Sequence, residues 1–198
     1  MTGEIKVSMD EVKKLRDATG VSIMQCKKAL EEAGGDMEKA KIALRKKASS
    51  DAAKKGDRAF GAVCSAAYIH QGGKVGSMVQ LACETDFVAQ NPEFIELANK
   101  IAVHVAGLSP EFVSESEISE EVKSKYMASF KEQAAKTGKP VDIQEKIAEG
   151  KWQEFLAGSV LLNQQFLMDD SKKVSDLLND AVQKFGENTT IVKFVRFA

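Results

Sequence analysis

The side chains of this 198-residue chain best suited to nucleophilic or metal chemistry are Cys26, Cys64, Cys83, His70 and His104. Their spacing supports neither chemistry. The cysteine count is odd and no two stand at CxxC spacing, so neither a disulfide framework nor a zinc site is expected. No histidine sits in an HExxH-like pattern. The run Gly72-Gly73-Lys74-Val75-Gly76 is rich in glycine but has neither the GxxxxGK[ST] nor the GxGxxG order, so no phosphate cradle and no direct nucleotide binding are expected. A different chemistry is concentrated in residues 83–91. There Glu84, Thr85 and Asp86 precede Phe87 and Val88, which places a carboxylate beside a large aromatic. A lone Asp86 is no catalyst without a base, nucleophile or metal partner. Two readings stay open for the segment. Phe87 and Val88 roof the core beneath the next helix, or the loop presents them to a partner.

The flanking elements can be read from period and punctuation. Ser8 with Glu11 forms a capping box before Met9, Val12 and Leu15, and Thr19-Gly20 ends that helix. Ser22 caps a second helix with Ile23, Cys26, Leu30 and Ala33 on one face, closed by Gly34-Gly35. Asp36 caps a third carrying Met37, Ala40, Ala43 and Leu44. The period then becomes two. Val63, Ser65, Ala67 and Ile69 alternate with Cys64, Ala66 and Tyr68. Val75, Ser77, Val79, Leu81 and Cys83 form a second strand, and Gln71-Gly72-Gly73 supplies the hairpin turn. Asn91-Pro92 opens a helix buried through Phe94, Leu97, Ala98, Ile101, Ala102 and Val105. An acidic loop covers 109–118, and Ser119 caps a helix ended by Gly138. Asp142 and Glu145 box a short helix to Gly150, and Trp152, Phe155, Leu156 and Val160 lead into Leu161-Leu162. A helix over 174–185 precedes a last strand at 190–197. The expectation is an α+β fold: three N-terminal helices over 1–52, then a core over 53–198 of a small three-stranded antiparallel sheet packed with helices.

Composition narrows the function. The chain is 43% hydrophobic and 29% charged with three prolines, which describes a globular chain. A net charge of −1 argues against general nucleic-acid binding, including DNA. No apolar run reaches the roughly 18–20 residues of a membrane span, and Met1-Thr2-Gly3-Glu4-Ile5-Lys6 has no leader pattern, so a cytoplasmic location is expected. Residues 1–60 carry 14 basic and 10 acidic side chains, and residues 61–198 carry 14 and 19, an asymmetry consistent with two domains. Residues 45–58 hold Arg45, Lys46, Lys47, Lys54, Lys55 and Arg58, which reads as a solvated connector or as a contact to an acidic partner or RNA.

Four segments together resemble the elongation factor Ts family, the guanine-nucleotide exchange factors of elongation factor Tu. They are the LRxxTG…CKKAL pattern at residues 15–30, the H-x-GGKVG strand start from His70 to Gly76, the ETDFVA loop from Glu84 to Ala89, and the LxQPFVKD-like stretch at residues 162–169. The resemblance covers essentially the whole chain in the family's order. Departures from the usual family pattern fall at Val21-Ser22, Phe60-Gly61, Gln90 and Gln165. Long members have two core copies and an inserted coiled coil. The length here matches the short form, with one core copy and no room for the insertion.

The resemblance implies a translation elongation factor that is not an enzyme, needs no cofactor or metal, and binds elongation factor Tu carrying GDP. Asp86 and Phe87, flanked by Thr85 and Val88, are implied to insert near the partner's magnesium and phosphate site and promote GDP release so that GTP can rebind. The N-terminal helices resemble the family's ubiquitin-associated-like (UBA-like) module. There Arg16, Ile23, Met24 and Lys27 are implied partner contacts, although Ile23 and Met24 also suit a core and Arg16 and Lys27 a solvated surface. His70 is the remaining implied contact. A single core copy further implies a homodimer through the sheet, unless helices 119–137 and 151–168 cover that sheet alone. Two other functions stand beside this one: an RNA or protein adaptor using residues 45–58, and a thiol enzyme using Cys83 or Cys64, which lacks a histidine at motif spacing.

Overall fold

The computed structural model describes residues 7–56 and 58–198; Asp57, one of the two acidic residues of the 45–58 stretch, and Met1 to Lys6 lie outside the described residues. The elements follow in the order α1 (Met9–Thr19), α2 (Ile23–Glu32), α3 (Met37–Lys55), β1 (Ala62–Ile69), β2 (Gly76–Cys83), α4 (Asp86–Ala89) and α5 (Pro92–Leu108). Then come α6 (Glu120–Ala135), α7 (Val141–Ser159), β3 (Gln165–Phe166), β4 (Asp169–Lys173), α8 (Val174–Phe185) and β5 (Thr190–Phe197). Strands β1, β2 and β5 form a three-stranded antiparallel sheet in the order β1-β2-β5. The fold is α+β, as the change of period predicts.

Two compact units share these elements. Among the described residues, the first comprises 7–56, 58–64, 81–96 and 176–190; the second comprises 65–80, 97–175 and 191–198.

In the first unit, α1 to α3 close a small core of Val12, Leu15, Val21, Cys26, Leu30, Ala40 and Leu44. Their starts follow the capping signals. The Ser8 hydroxyl accepts from the Glu11 N–H while the Glu11 carboxylate accepts from the Ser8 N–H, and Asp36 accepts from both Glu38 and Lys39 N–H groups. Gly20 takes a left-handed φ of 71°, the conformation a helix needs to turn off after its last carbonyls. Helix α3 runs on through most of the basic stretch to Lys55, whose ammonium donates to the Gly186 carbonyl just past α8. Three residues of α8 touch the three-helix module. Asn179 donates to Ser49, Gln183 donates to Gln25, and the Lys184 stem lies against Gly20.

The second unit holds the β1–β2 turn, where Gly72 and Gly73 adopt φ of 85° and 70°. It corrects the sequence reading in three places. Gly150 does not end a helix: α7 runs unbroken from Val141, directly after Pro140, to Ser159, and Asp142 and Glu145 cap nothing. A glycine costs a helix interior only about 1 kcal/mol. Burial of Trp152 and Leu156 against Tyr126, Phe130 and Phe155 exceeds that cost. Helices α6 and α7 thereby form a two-helix hairpin, so a chain of this length does accommodate paired helices. The apolar turn at Leu161-Leu162 leads into a β3–β4 hairpin with no forerunner in the sequence pattern.

Helix α5 buries Ala98, Ile101, Ala102, His104 and Val105 in this unit. His104 is fully enclosed: its Nε2 meets the Gln164 amide oxygen at 2.8 Å and its Nδ1 accepts from the Leu167 N–H at 3.1 Å. A backbone N–H can only donate, so the ring is neutral with its proton on Nε2.

Candidate partner-binding site

Strand β2 ends at Cys83, and the chain turns through Glu84 and Thr85 into the single turn of α4. An isolated turn of four residues has almost no helical stability of its own. Its placement comes from burial beneath and hydrogen bonds at its start. Val88 and Ala89 point into the first unit's core. Asp86 and Phe87 point outward, and Phe87 is 84% exposed, the largest exposure among the described large hydrophobic residues. The roofing role therefore falls to Val88 alone. Exposing a phenylalanine to this degree forgoes roughly 1.5–3 kcal/mol of burial.

The start of the turn is held from the opposite end of the sequence. The Glu187 carboxylate accepts from the backbone N–H groups of Glu84 at 3.1 Å and Thr85 at 3.0 Å, and from the Thr85 hydroxyl at 2.6 Å. The Glu84 carboxylate accepts from the Asn188 N–H at 2.6 Å and from the Arg58 guanidinium at 3.2 Å. The Asn188 N–H, more than Arg58, holds the Glu84 carboxyl below its usual range. Asn188 also donates through its amide to the carbonyls of Gly56 and Arg58. Cys83, directly behind, is buried, and burial pushes its thiol upward with the Glu187 charge adding to the effect. Cys64 is buried and shifted the same way, so neither cysteine has the lowered thiol of a reactive nucleophile.

The other implied contacts lie on surfaces. Met24 is 80% exposed and Ile23 42%, so the α2 core face starts at Cys26 and not at Ile23. Arg16 on α1 and Lys27 on α2 are exposed as well, Lys27 facing Glu31 at 3.7 Å. All four belong to the same unit as Asp86 and Phe87. His70 belongs to the second unit, where it is exposed and its Nδ1 lies 2.9 Å from the Tyr68 hydroxyl.

Sequence reasoning overlooked two features. Glu187 and Asn188 have no place in the sequence reading, which gives only the helix over 174–185 and the strand at 190–197 on either side of them. Leu167 and Met168 stand exposed at the tip of the β3–β4 hairpin, with no periodic trace to announce them. Among the described residues no group of three or more His, Cys, Asp or Glu side chains is placed to hold a metal ion. No helix described is long and apolar enough to cross a membrane.

Comparison with known proteins agrees with the motifs. A family model described as Elongation factor TS matches residues 9–198. Elongation factor Ts of Thermosipho melanesiensis is 47% identical over 191 residues, covering 96% of this chain and 97% of the relative. Elongation factor Ts of Coprothermobacter proteolyticus is 45% identical over 193 residues, covering 98% of each. That of Anaeromyxobacter dehalogenans is 47% identical over 192 residues, covering 97% of this chain and 88% of the relative. With motifs, fold and near full-length similarity in agreement, the chain belongs to the elongation factor Ts family.

Proposed function

We propose that this protein is a guanine-nucleotide exchange factor for elongation factor Tu. It binds the GDP form, speeds GDP release and leaves the site open to GTP. The observation that carries this reading is Phe87, an exposed aromatic on a turn braced at its start by Glu187 and anchored beneath by Val88. Phe87 enters the partner near its magnesium and phosphate site, and Asp86 holds the turn there as a polar anchor. No bond is made or broken. If the factor and the nucleotide exclude each other, whatever free energy the factor gains on the empty partner over the loaded one is the free energy by which it weakens GDP. Truncating one such inserted aromatic removes about 2–4 kcal/mol from an interface.

Residues 1–52 act as the module that first grips the partner, through Arg16, Ile23, Met24 and Lys27, and residues 53–198 form the core that carries the exchange turn and His70. Exposure of all four N-terminal side chains supports this division of labour. The protein works in the cytoplasm as a homodimer joined through its sheet. Ile69, Met78, Val192, Val195 and Phe197 stand exposed on the three strands, an apolar surface that a second copy would bury.

The test is release of a fluorescent GDP from elongation factor Tu, with and without the protein. Acceleration in proportion to the factor added is the expected result. Nucleotide hydrolysis by the purified chain with no effect on release would overturn the proposal.

A further inference from the structure

We infer that Glu187 is a positioning residue for exchange: its carboxylate sets the orientation of the Asp86–Phe87 turn and thereby the rate at which a bound partner loses GDP. This rests on the reading of Phe87 as the inserting side chain. A wedge works only if its mount resists being pushed aside, and ordering a loose mount on binding consumes the free energy of the contact. The turn cannot supply that resistance itself. Helix α4 is a single turn, and its N-cap residue, Thr85, makes no side-chain capping bond. The Thr85 hydroxyl donates to Glu187 instead. One carboxylate thus collects the two backbone N–H groups and the hydroxyl that precede Asp86, and charge-assisted bonds of this kind are the stronger class.

Glu187 is itself held on both sides. Gly186 before it accepts from the Lys55 ammonium at 2.8 Å, and Asn188 after it is bonded to Glu84, Gly56 and Arg58. The bracket also continues into α8, which touches the three-helix module at Gly20, Gln25 and Ser49. The loop after α8 therefore joins the element proposed to grip the partner to the element proposed to expel its nucleotide.

Glu187→Ala, Glu187→Gln and Phe87→Ala are compared by the rate of GDP release from elongation factor Tu as factor concentration is raised, which separates half-saturation from maximal rate. Glu187→Ala is expected to lower the maximal rate by about tenfold and to move half-saturation by less than about threefold. Glu187→Gln restores the rate to within about twofold of wild type, because its amide oxygen accepts both N–H groups and its NH₂ donates to the Thr85 oxygen. Adding Glu187→Ala to Phe87→Ala slows release by less than about twofold more, since both act through one side chain. Thr85→Val removes a single bond and loses about threefold, which keeps the test alive if the alanine variant does not fold. The inference is overturned if the glutamine variant is as slow as the alanine one, if melting and half-saturation change while the maximal rate does not, or if the two losses multiply in full. Wild-type speed in Glu187→Ala or Thr85→Val beside a slow Phe87→Ala overturns this inference alone. Wild-type speed in Phe87→Ala overturns the wedge reading and this inference with it.

Discussion

Phe87 and Val88 are neighbours in the chain and opposites in the fold, with Phe87 84% exposed and Val88 4%. The one turn of α4 sends successive side chains in different directions, so the second becomes an anchor and the first a free aromatic. Phe87→Ala should therefore change the unfolding free energy by less than about 0.5 kcal/mol. It should slow stimulated GDP release by at least about tenfold, equivalent to about 1.4 kcal/mol. Denaturant melts and stopped-flow release on the same preparation check both; lost stability with normal release per folded molecule would return Phe87 to the core.

Met24 is expected to separate binding from folding in the same way. It is 80% exposed and adds nothing to the Val12, Leu15 and Leu30 core. Met24→Ala should weaken the complex with elongation factor Tu by about 1–2 kcal/mol, more than most interface truncations cost and less than a hot spot. Titration calorimetry measures the loss, and an unchanged affinity would remove Met24 from the interface.

Gly61 is required by a close approach. A Cβ there would stand 2.6 Å from the Glu84 carbonyl oxygen, a backbone atom with little room to retreat. Gly61→Ala should destabilise the fold by about 1–3 kcal/mol and disturb the turn that begins at Glu84. A shifted urea midpoint together with slower GDP release is the expected pair of results; a wild-type midpoint would show that the strand start yields easily.

Buried His104 predicts a pH dependence. Burial lowers its pKa below the ordinary value of 6.5, and the Gln164 bond offsets this only in part. The unfolded chain then binds the proton more readily than the folded one, so the stability that the neutral ring contributes is complete above 6.5 and declines as pH falls below it. The slope from this one group approaches at most about 1.4 kcal/mol per pH unit. His104→Asn, which cannot titrate, should flatten the stability profile measured by urea unfolding between about pH 7.5 and about pH 5; an equal slope in both proteins would exclude His104 as the source.

The exposed strand residues predict the assembly state. Light scattering should give twice the 21.5 kDa chain mass at micromolar concentration, and Ile69→Lys should shift the population to monomer. A single 21.5 kDa species in the wild type at every concentration would show that the sheet needs no second copy.

What the sequence determined by itself is local. Ser8 with Glu11, Asp36, Gly20 and the Gly72-Gly73 turn declare their roles through bonds and φ values that involve residues a few positions apart, so spacing alone exposes them. The alternation along β1 and β2 marks the strands for the same reason, and the ETDFVA loop is legible as a motif of the family. Tertiary structure decided which side of that loop meets solvent, because the burial of Val88 and the exposure of Phe87 depend on what lies beneath the turn. It decided that Gly150 lies within a helix, because packing by Trp152 and Leu156 outweighs a local propensity. It also decided that Glu187 braces Thr85. That bond spans 102 residues, and a contact between one side chain and a distant turn leaves no period in the sequence from which it could be read.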